Sequence, residues 1–278
     1  MLRQPDLPAG VRILGNTESG RLKAKHPQLS SDPFTGCITC HDRRSYRWYL
    51  PGSRTQVGEY ECECADQWVA HRAMLSANIG LTYQRLSWMD LTGTEPAAID
   101  MAQGYLESAE AYVAAGVGLI YYGTMGSGKS SLSSLLLRDL LGQGYDTYFT
   151  TFSAMIDAYT GGWNDAAERA WFHKRIKNAG VLVLDDIGKE FAGRKSSGLP
   201  ESTFDEVLRH RVAASMPTIV TTNYDLARLQ EGYGGAVLSL LHERSKTFGF
   251  TGEDFRPSSN HRLMDEINAG LTRPIVMS

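Results

Sequence analysis

Residues Gly123, Thr124, Met125, Gly126, Ser127, Gly128, Lys129 and Ser130 read GTMGSGKS, and this stretch decides the fold. It matches GxxxxGK[ST] at every fixed position, and its surroundings agree with the match. Gly116 to Tyr122 is a short apolar run that predicts a buried strand. From Lys129 to Leu141, the residues Leu132, Leu135, Leu136 and Leu140 recur at helical spacing. A glycine-rich turn between strand and helix lets backbone N–H groups turn inward around phosphate oxygens, and the helix N-terminus adds positive partial charge there. Lys129 is expected to reach the β- and γ-phosphates and Ser130 to ligate magnesium, with Ser131 closing the binding stretch. Without a ligand, the same residues would be a plain Gly/Ser-rich turn.

Working outward, Val181, Leu182, Val183 and Leu184 form a fully apolar strand that ends in Asp185 and Asp186. Acids at the C-terminal edge of such a strand lie where ligands of open α/β sheets bind. Asp185 is assigned to the magnesium shell, and Asp186 to orienting or deprotonating an attacking water. Asp186 could otherwise be a loop or capping acid, and Glu190 is as well read as a solvated glutamate. Thr218 to Thr222 is a further buried strand, and Asn223 after it either holds that water or forms a turn. Asp146 to Phe152 reads as a strand. Helices are expected over 96–115, 166–178, 202–214 and 235–248, with a last short strand near Phe250. Strands alternating with helices predict a parallel sheet covered on both faces.

The chain has 278 residues, 42% of them hydrophobic, enough for a substantial core. Its net charge of -3 argues against a surface that coats nucleic acid throughout. No apolar run approaches the roughly 20 residues needed to cross a bilayer. The N-terminus lacks a signal-peptide core, so a cytoplasmic protein is expected.

All four cysteines lie between Cys37 and Cys64. Cys37 and Cys40 form a CxxC pair and Cys62 and Cys64 a CxC pair, with 21 residues between the pairs. Two close thiolate pairs suit tetrahedral zinc; His41 and His71 are alternative ligands, and a redox pair is less suited to one centre. Between the pairs, Arg43, Arg44, Arg47 and Arg54 interleave with Tyr46, Trp48 and Tyr49. That pattern suits single-stranded DNA or a docked protein, or the aromatics form a small core. Residues 1–75 carry ten Lys/Arg against eight Asp/Glu, so this part is slightly basic. The expected organisation is a zinc-binding domain over 1–75, a linker over 76–104, a nucleotide-binding domain over 105–256 and a tail over 257–278.

The blocks GTMGSGKSSL, VLVLDDIGKE, PTIVTTNYDL, LLHERS and GEDFR, in that order, resemble the AAA+ ATPases of the DnaC/DnaI-type replicative helicase loaders and the related IstB-like transposition proteins. The resemblance implies ATP as the nucleotide, a five-stranded parallel sheet, self-association through the ATP interface, a hexameric replicative helicase and single-stranded DNA as partners, and an N-terminal helicase-docking module in a bacterial cell or phage-infected bacterium. It implies an arginine finger at Arg244, and less firmly interface positions at Arg211 and Arg256. Two departures stand out. Aspartate, not glutamate, follows the first acid at Asp186, and too few residues follow the last strand for a C-terminal helical lid. For an IstB-like protein the expected role is as a transposition helper on duplex DNA. A P-loop kinase would need an acceptor pocket and lid, which the sequence does not offer.

Overall fold

The computed structural model describes residues 14–15, 45–49, 56–62, 64–189, 198–270, 273 and 275. The chain divides into two compact units, Met1–Arg72 and Ala73–Ser278. In the first, β1 (Leu14–Gly15), β2 (Ser45–Tyr49) and β3 (Gln56–Glu61) form an antiparallel sheet in that order. The Arg- and aromatic-rich run between the cysteine pairs thus contributes the central strand, pairing Ser45 with Glu61 and Tyr46 with Tyr60. Helix α1 (Cys64–Ser76) starts in this unit and ends in the second.

In the second unit the chain runs through α2 (Leu81–Gln84), a 3-10 turn at Trp88–Asp90, α3 (Pro96–Glu107) and α4 (Ala109–Ala114). Residues 76–104 therefore carry helices of the same unit as the nucleotide-binding core. The helix expected over 96–115 is broken at Ser108. There follow β4 (Gly118–Gly123), α5 (Lys129–Gly142), β5 (Thr147–Thr151), α6 (Phe152–Gly161) and α7 (Ala166–Phe172), the last extended by a π turn to Lys177. Then come β6 (Val181–Ile187), α8 (Leu199–Ala213), β7 (Thr218–Thr222), α9 (Leu226–Tyr233), α10 (Gly235–Glu243), β8 (Ser245–Phe250) and α11 (Arg256–Asn268).

The five strands of this unit are all parallel, in the order β5-β6-β7-β4-β8. Parallel sheets bury both faces, which is why β4, β6 and β7 are almost continuously apolar or small. One face packs Ile120, Leu182, Leu184 and Val220 against Phe204, Val207 and Leu208 of α8. Helix α5 is buried on several sides, with Leu132, Leu135, Leu136, Leu137 and Leu140 all inaccessible.

Two expectations are corrected. The helix predicted over 235–248 stops at Glu243, and residues 245–250 are the strand β8, hydrogen-bonded to β4 with Gly118 opposite Ser245. The leucine periodicity ends at Leu241; beyond it, strand pairing outweighs helical continuation. Arg211 is neither an interface residue nor a surface ion pair. It is fully buried and donates to Thr218 Oγ1 (2.9 Å) and to the carbonyls of Ile176, Lys177, Ala179 and Pro217. It staples α8 to the loops entering β6 and β7, and burial lowers its pKa to about 9.

Candidate active site

The order of the strands builds the site. Because β7 lies between β4 and β6, the loop after β4, the acids of β6 and the residue after β7 converge at one edge of the sheet. The loop Gly123–Gly128 turns sharply: Gly126 and Gly128 have φ of 72° and 93°, a left-handed conformation that favours glycine. A Cβ at Gly126 would collide with the Asp254 carboxylate, and one at Gly128 with the Thr94 hydroxyl. The loop is braced from behind by the segment after β8. Thr124 Oγ1 donates to Gly252 O at 2.8 Å and the Phe255 N–H to Gly126 O at 3.1 Å.

Lys129 opens α5 and is buried, its ammonium donating to Gly123 O (3.0 Å) and Thr124 O (2.6 Å). Both partners are neutral, and burial lowers the lysine pKa to about 8 against the opposing pull of Asp185 and Asp186. A cation in this setting is short of negative charge, as a phosphate-binding lysine should be. Ser130 Oγ donates to Asp185 Oδ1 at 2.7 Å. Thr221 Oγ1, from β7, donates to the same oxygen at 2.6 Å and accepts from the Asp186 N–H at 2.9 Å. Burial raises the Asp185 pKa, although the Thr221 and Ser130 hydrogen bonds oppose it. One hydroxyl and one carboxylate side by side fit a magnesium ion, a hard cation that prefers oxygen ligands.

Asp186 has φ of 66°, unusual for a residue with a side chain, where the β6–β7 register shifts between Leu184 and Ile187. At this turn its carboxylate has its own partners: Oδ1 accepts from Asn223 Nδ2 at 2.9 Å, and Lys189 ion-pairs with the other oxygen. Glu190 lies outside the described residues.

The phosphate loop opens into a cavity of about 850 Å³. It is lined as well by residues that carried no motif: Leu91 and Thr94 ahead of α3, and Leu263 and Ile267 of α11. The Thr94 hydroxyl is buried without a hydrogen-bond partner beside Gly128. Asp90 joins the two walls, paired with Arg262 at 3.0 Å and Arg273 at 2.7 Å. Despite burial, those arginines and the Ser87 N–H hold its carboxyl below the usual range. The expected absence of a lid thus needs amending: a single helix, α11, lines the cavity. Arg256 at its start is close enough to affect Lys129 and Tyr83 electrostatically, within the same chain.

Arg244 is not brought into this cavity. It sits exposed just before β8, its guanidinium donating to Ala115 O at 3.0 Å and its carbonyl accepting from the Gly118 N–H. That is the opposite edge of the sheet from the phosphate loop, a strand length of roughly 20 Å away. Of the cysteine cluster, Cys62 is buried and Cys64 begins α1, while Cys37 and Cys40, with the zinc assignment that depends on them, lie outside the described residues. Among the described residues no three His, Cys, Asp or Glu side chains group as a metal site. No helix among them is long and apolar enough to cross a membrane.

Fold and sequence motif together define a P-loop α/β protein with a five-stranded parallel sheet. No family model matches the chain. Its fold is similar to that of DnaI, at 21% identity and a TM-score of 0.51, covering 62% of this chain and 94% of that one. It is similar also to a protein described as a primosome component from Streptococcus pyogenes serotype M3, at 23% identity and a TM-score of 0.50, covering 62% and 88%. In sequence it is 30% identical over 112 residues to an ATP-binding protein of an insertion sequence in Mycobacterium tuberculosis. That match covers 39% of this chain and 41% of the relative, so the chain spans about two fifths of the curated protein it matches.

Proposed function

We propose that this chain is an ATPase that loads a hexameric replicative helicase onto single-stranded DNA, with ATP hydrolysis as the switch between assembly and release. The observation that carries the ATPase reading is the hydrogen-bonded centre of Ser130, Asp185 and Thr221, with Lys129 on one side and the Asp186–Asn223 pair on the other. ATP with magnesium would supply the phosphoanhydride and a cation that draws charge from its phosphates. Lys129 and the loop amides neutralise the β- and γ-phosphates. Ser130 and Asp185 hold the metal. Asp186 takes the proton of the attacking water, and Asn223 fixes the direction of its carboxylate. Leu91, Leu263 and Ile267 enclose the base.

Arg244 acts in trans, reaching the γ-phosphate held by a neighbouring copy; its exposure at the far edge of the sheet supports that role over one in its own site. Cys37, Cys40, Cys62 and Cys64 hold a structural zinc, and the N-terminal unit docks the helicase within a bacterial cell. Support for the loader reading comes from the likeness of fold to DnaI and from the unit that precedes the core.

A second reading has its own support in the insertion-sequence relative: a transposition helper ATPase that acts on duplex DNA. Co-purification separates the two. A loader retains a purified hexameric replicative helicase in the presence of Mg-ATP. A chain that ignores the helicase and assembles on duplex DNA with ATP is the transposition helper.

A further inference from the structure

Ahead of α3 the chain makes a tight turn, closed by the Thr94 N–H donating to Leu91 O at 3.0 Å. Gly93 within it has φ of 82°, and a Cβ there would meet the Phe255 ring at 2.6 Å. Phe255 is itself tied to the phosphate loop through its N–H and Gly126 O. The turn is thus packed against a residue that the loop already holds. Thr94 stands beside Gly128, the residue that caps α5. A Cβ built on Gly128 would meet the Thr94 hydroxyl oxygen at 2.4 Å, nearer than the rest of the threonine. Thr94 is only 2% exposed, and its hydroxyl has no hydrogen-bond partner among the described residues. The residue lines the same cavity as Gly126, Gly128, Lys129 and Ser130.

A hydroxyl taken out of water without a partner destabilises the chain that carries it. Valine would fill nearly the same volume without that cost. The orphan lies where the loop amides and the N-terminus of α5 favour an anion. We propose that Thr94 is a phosphate ligand of the bound nucleotide, supplied from outside the glycine-rich motif. Its hydroxyl donates to an oxygen of the phosphate seated against Gly128. The polyphosphate is then the acceptor that no described residue provides. A hydrogen bond to a charged oxygen is among the stronger ones, so it contributes measurably to affinity. The proposal rests on reading the cavity as a nucleotide site, and adds to it a contact that the motif does not contain.

Thr94→Val keeps the shape and removes the hydroxyl, whereas Thr94→Ser keeps the hydroxyl and removes the methyl. Calorimetry titrates Mg-ATP and, separately, magnesium tripolyphosphate into wild type and both variants, and the Tm of each is taken without ligand. Thr94→Val is expected to bind both ligands about tenfold or more weakly. Its Tm without ligand should equal or exceed that of wild type, because an unpartnered buried hydroxyl is gone. Thr94→Ser should bind both ligands within about threefold of wild type. Tripolyphosphate affinity within about twofold of wild type in Thr94→Val overturns the proposal. It does so even where ATP binding falls, since the hydroxyl then serves the nucleoside. A lowered Tm or a failure to fold in Thr94→Val also overturns it, as does a serine variant as weak as the valine one. A wild-type chain that binds neither ligand fails the nucleotide reading itself, and is recognised from its own titrations.

Discussion

Asn223, just past the end of β7, donates its side-chain amide to Oδ1 of Asp186 on β6 at 2.9 Å. The bond crosses neighbouring strands and fixes a carboxylate whose backbone is already turned into the left-handed region. Aspartate is one methylene shorter than glutamate, so direction matters more than reach. Asp186→Asn is predicted to keep Mg-ATP affinity within about threefold while kcat falls by roughly 10²-fold or more, the usual scale for a lost general base. Asn223→Ala should lower kcat by about tenfold, through Asp186. Steady-state phosphate release with calorimetric affinities checks both; equal turnover in Asp186→Asn would remove the acid from the chemistry.

Lys129 has a pKa of about 8 when the site holds no phosphate. A bound triphosphate restores the charge and raises that pKa. Between about pH 8 and 10 the free lysine is largely neutral and the bound one charged, so binding takes up a proton. ATP affinity should therefore weaken as pH rises above 8, and calorimetry in buffers of different ionisation enthalpy should report uptake of up to one proton near pH 9. An affinity flat from pH 7 to 9.5 would show that the lysine does not titrate here.

The Asp90 clasp joins α11 to the segment ahead of α3 at the cavity wall, where the proposed function puts the base. Asp90→Ala frees α11 but leaves the phosphate loop untouched. ATP affinity should drop about tenfold while affinity for inorganic tripolyphosphate stays the same. Equal losses for both ligands would place the effect on the loop instead.

Arg211 and Arg244 separate stability from activity. Removing the Arg211 guanidinium takes away the donor to Thr218 Oγ1 and to the carbonyls of Ile176, Lys177 and Ala179, and leaves Pro217 O with the Leu182 N–H, so Arg211→Ala should cost about 3–5 kcal/mol in denaturant unfolding. Arg244→Ala should leave unfolding unchanged and abolish turnover. Mixing it with Lys129→Ala should restore part of the activity, because an intact phosphate loop on one copy then meets an intact arginine on another. Mixtures as inactive as their components would contradict action in trans.

The phosphate loop and the acids of β6 were legible because their chemistry demands a local pattern: glycines within six residues, or two acids directly after four apolar ones. Arg211 was not. Its acceptors come from residues 176–179 and 217–218, and nothing in Leu-Arg-His-Arg reveals which arginine they enclose. The apolar lining of the cavity was missed for the same reason, since Leu91, Leu263 and Ile267 come to one cavity only in the folded chain. The α10–β8 boundary was misread because β8 is an edge strand, half-exposed, with weak alternation to mark where the helix ends.

Calorimetry of Mg-ATP into the native chain, with Lys129→Ala alongside, tests the central claim most directly. The account predicts one site per chain with a Kd on the order of micromolar, and none in the lysine variant. No association at millimolar nucleotide and magnesium, or equal binding by both proteins, would contradict it.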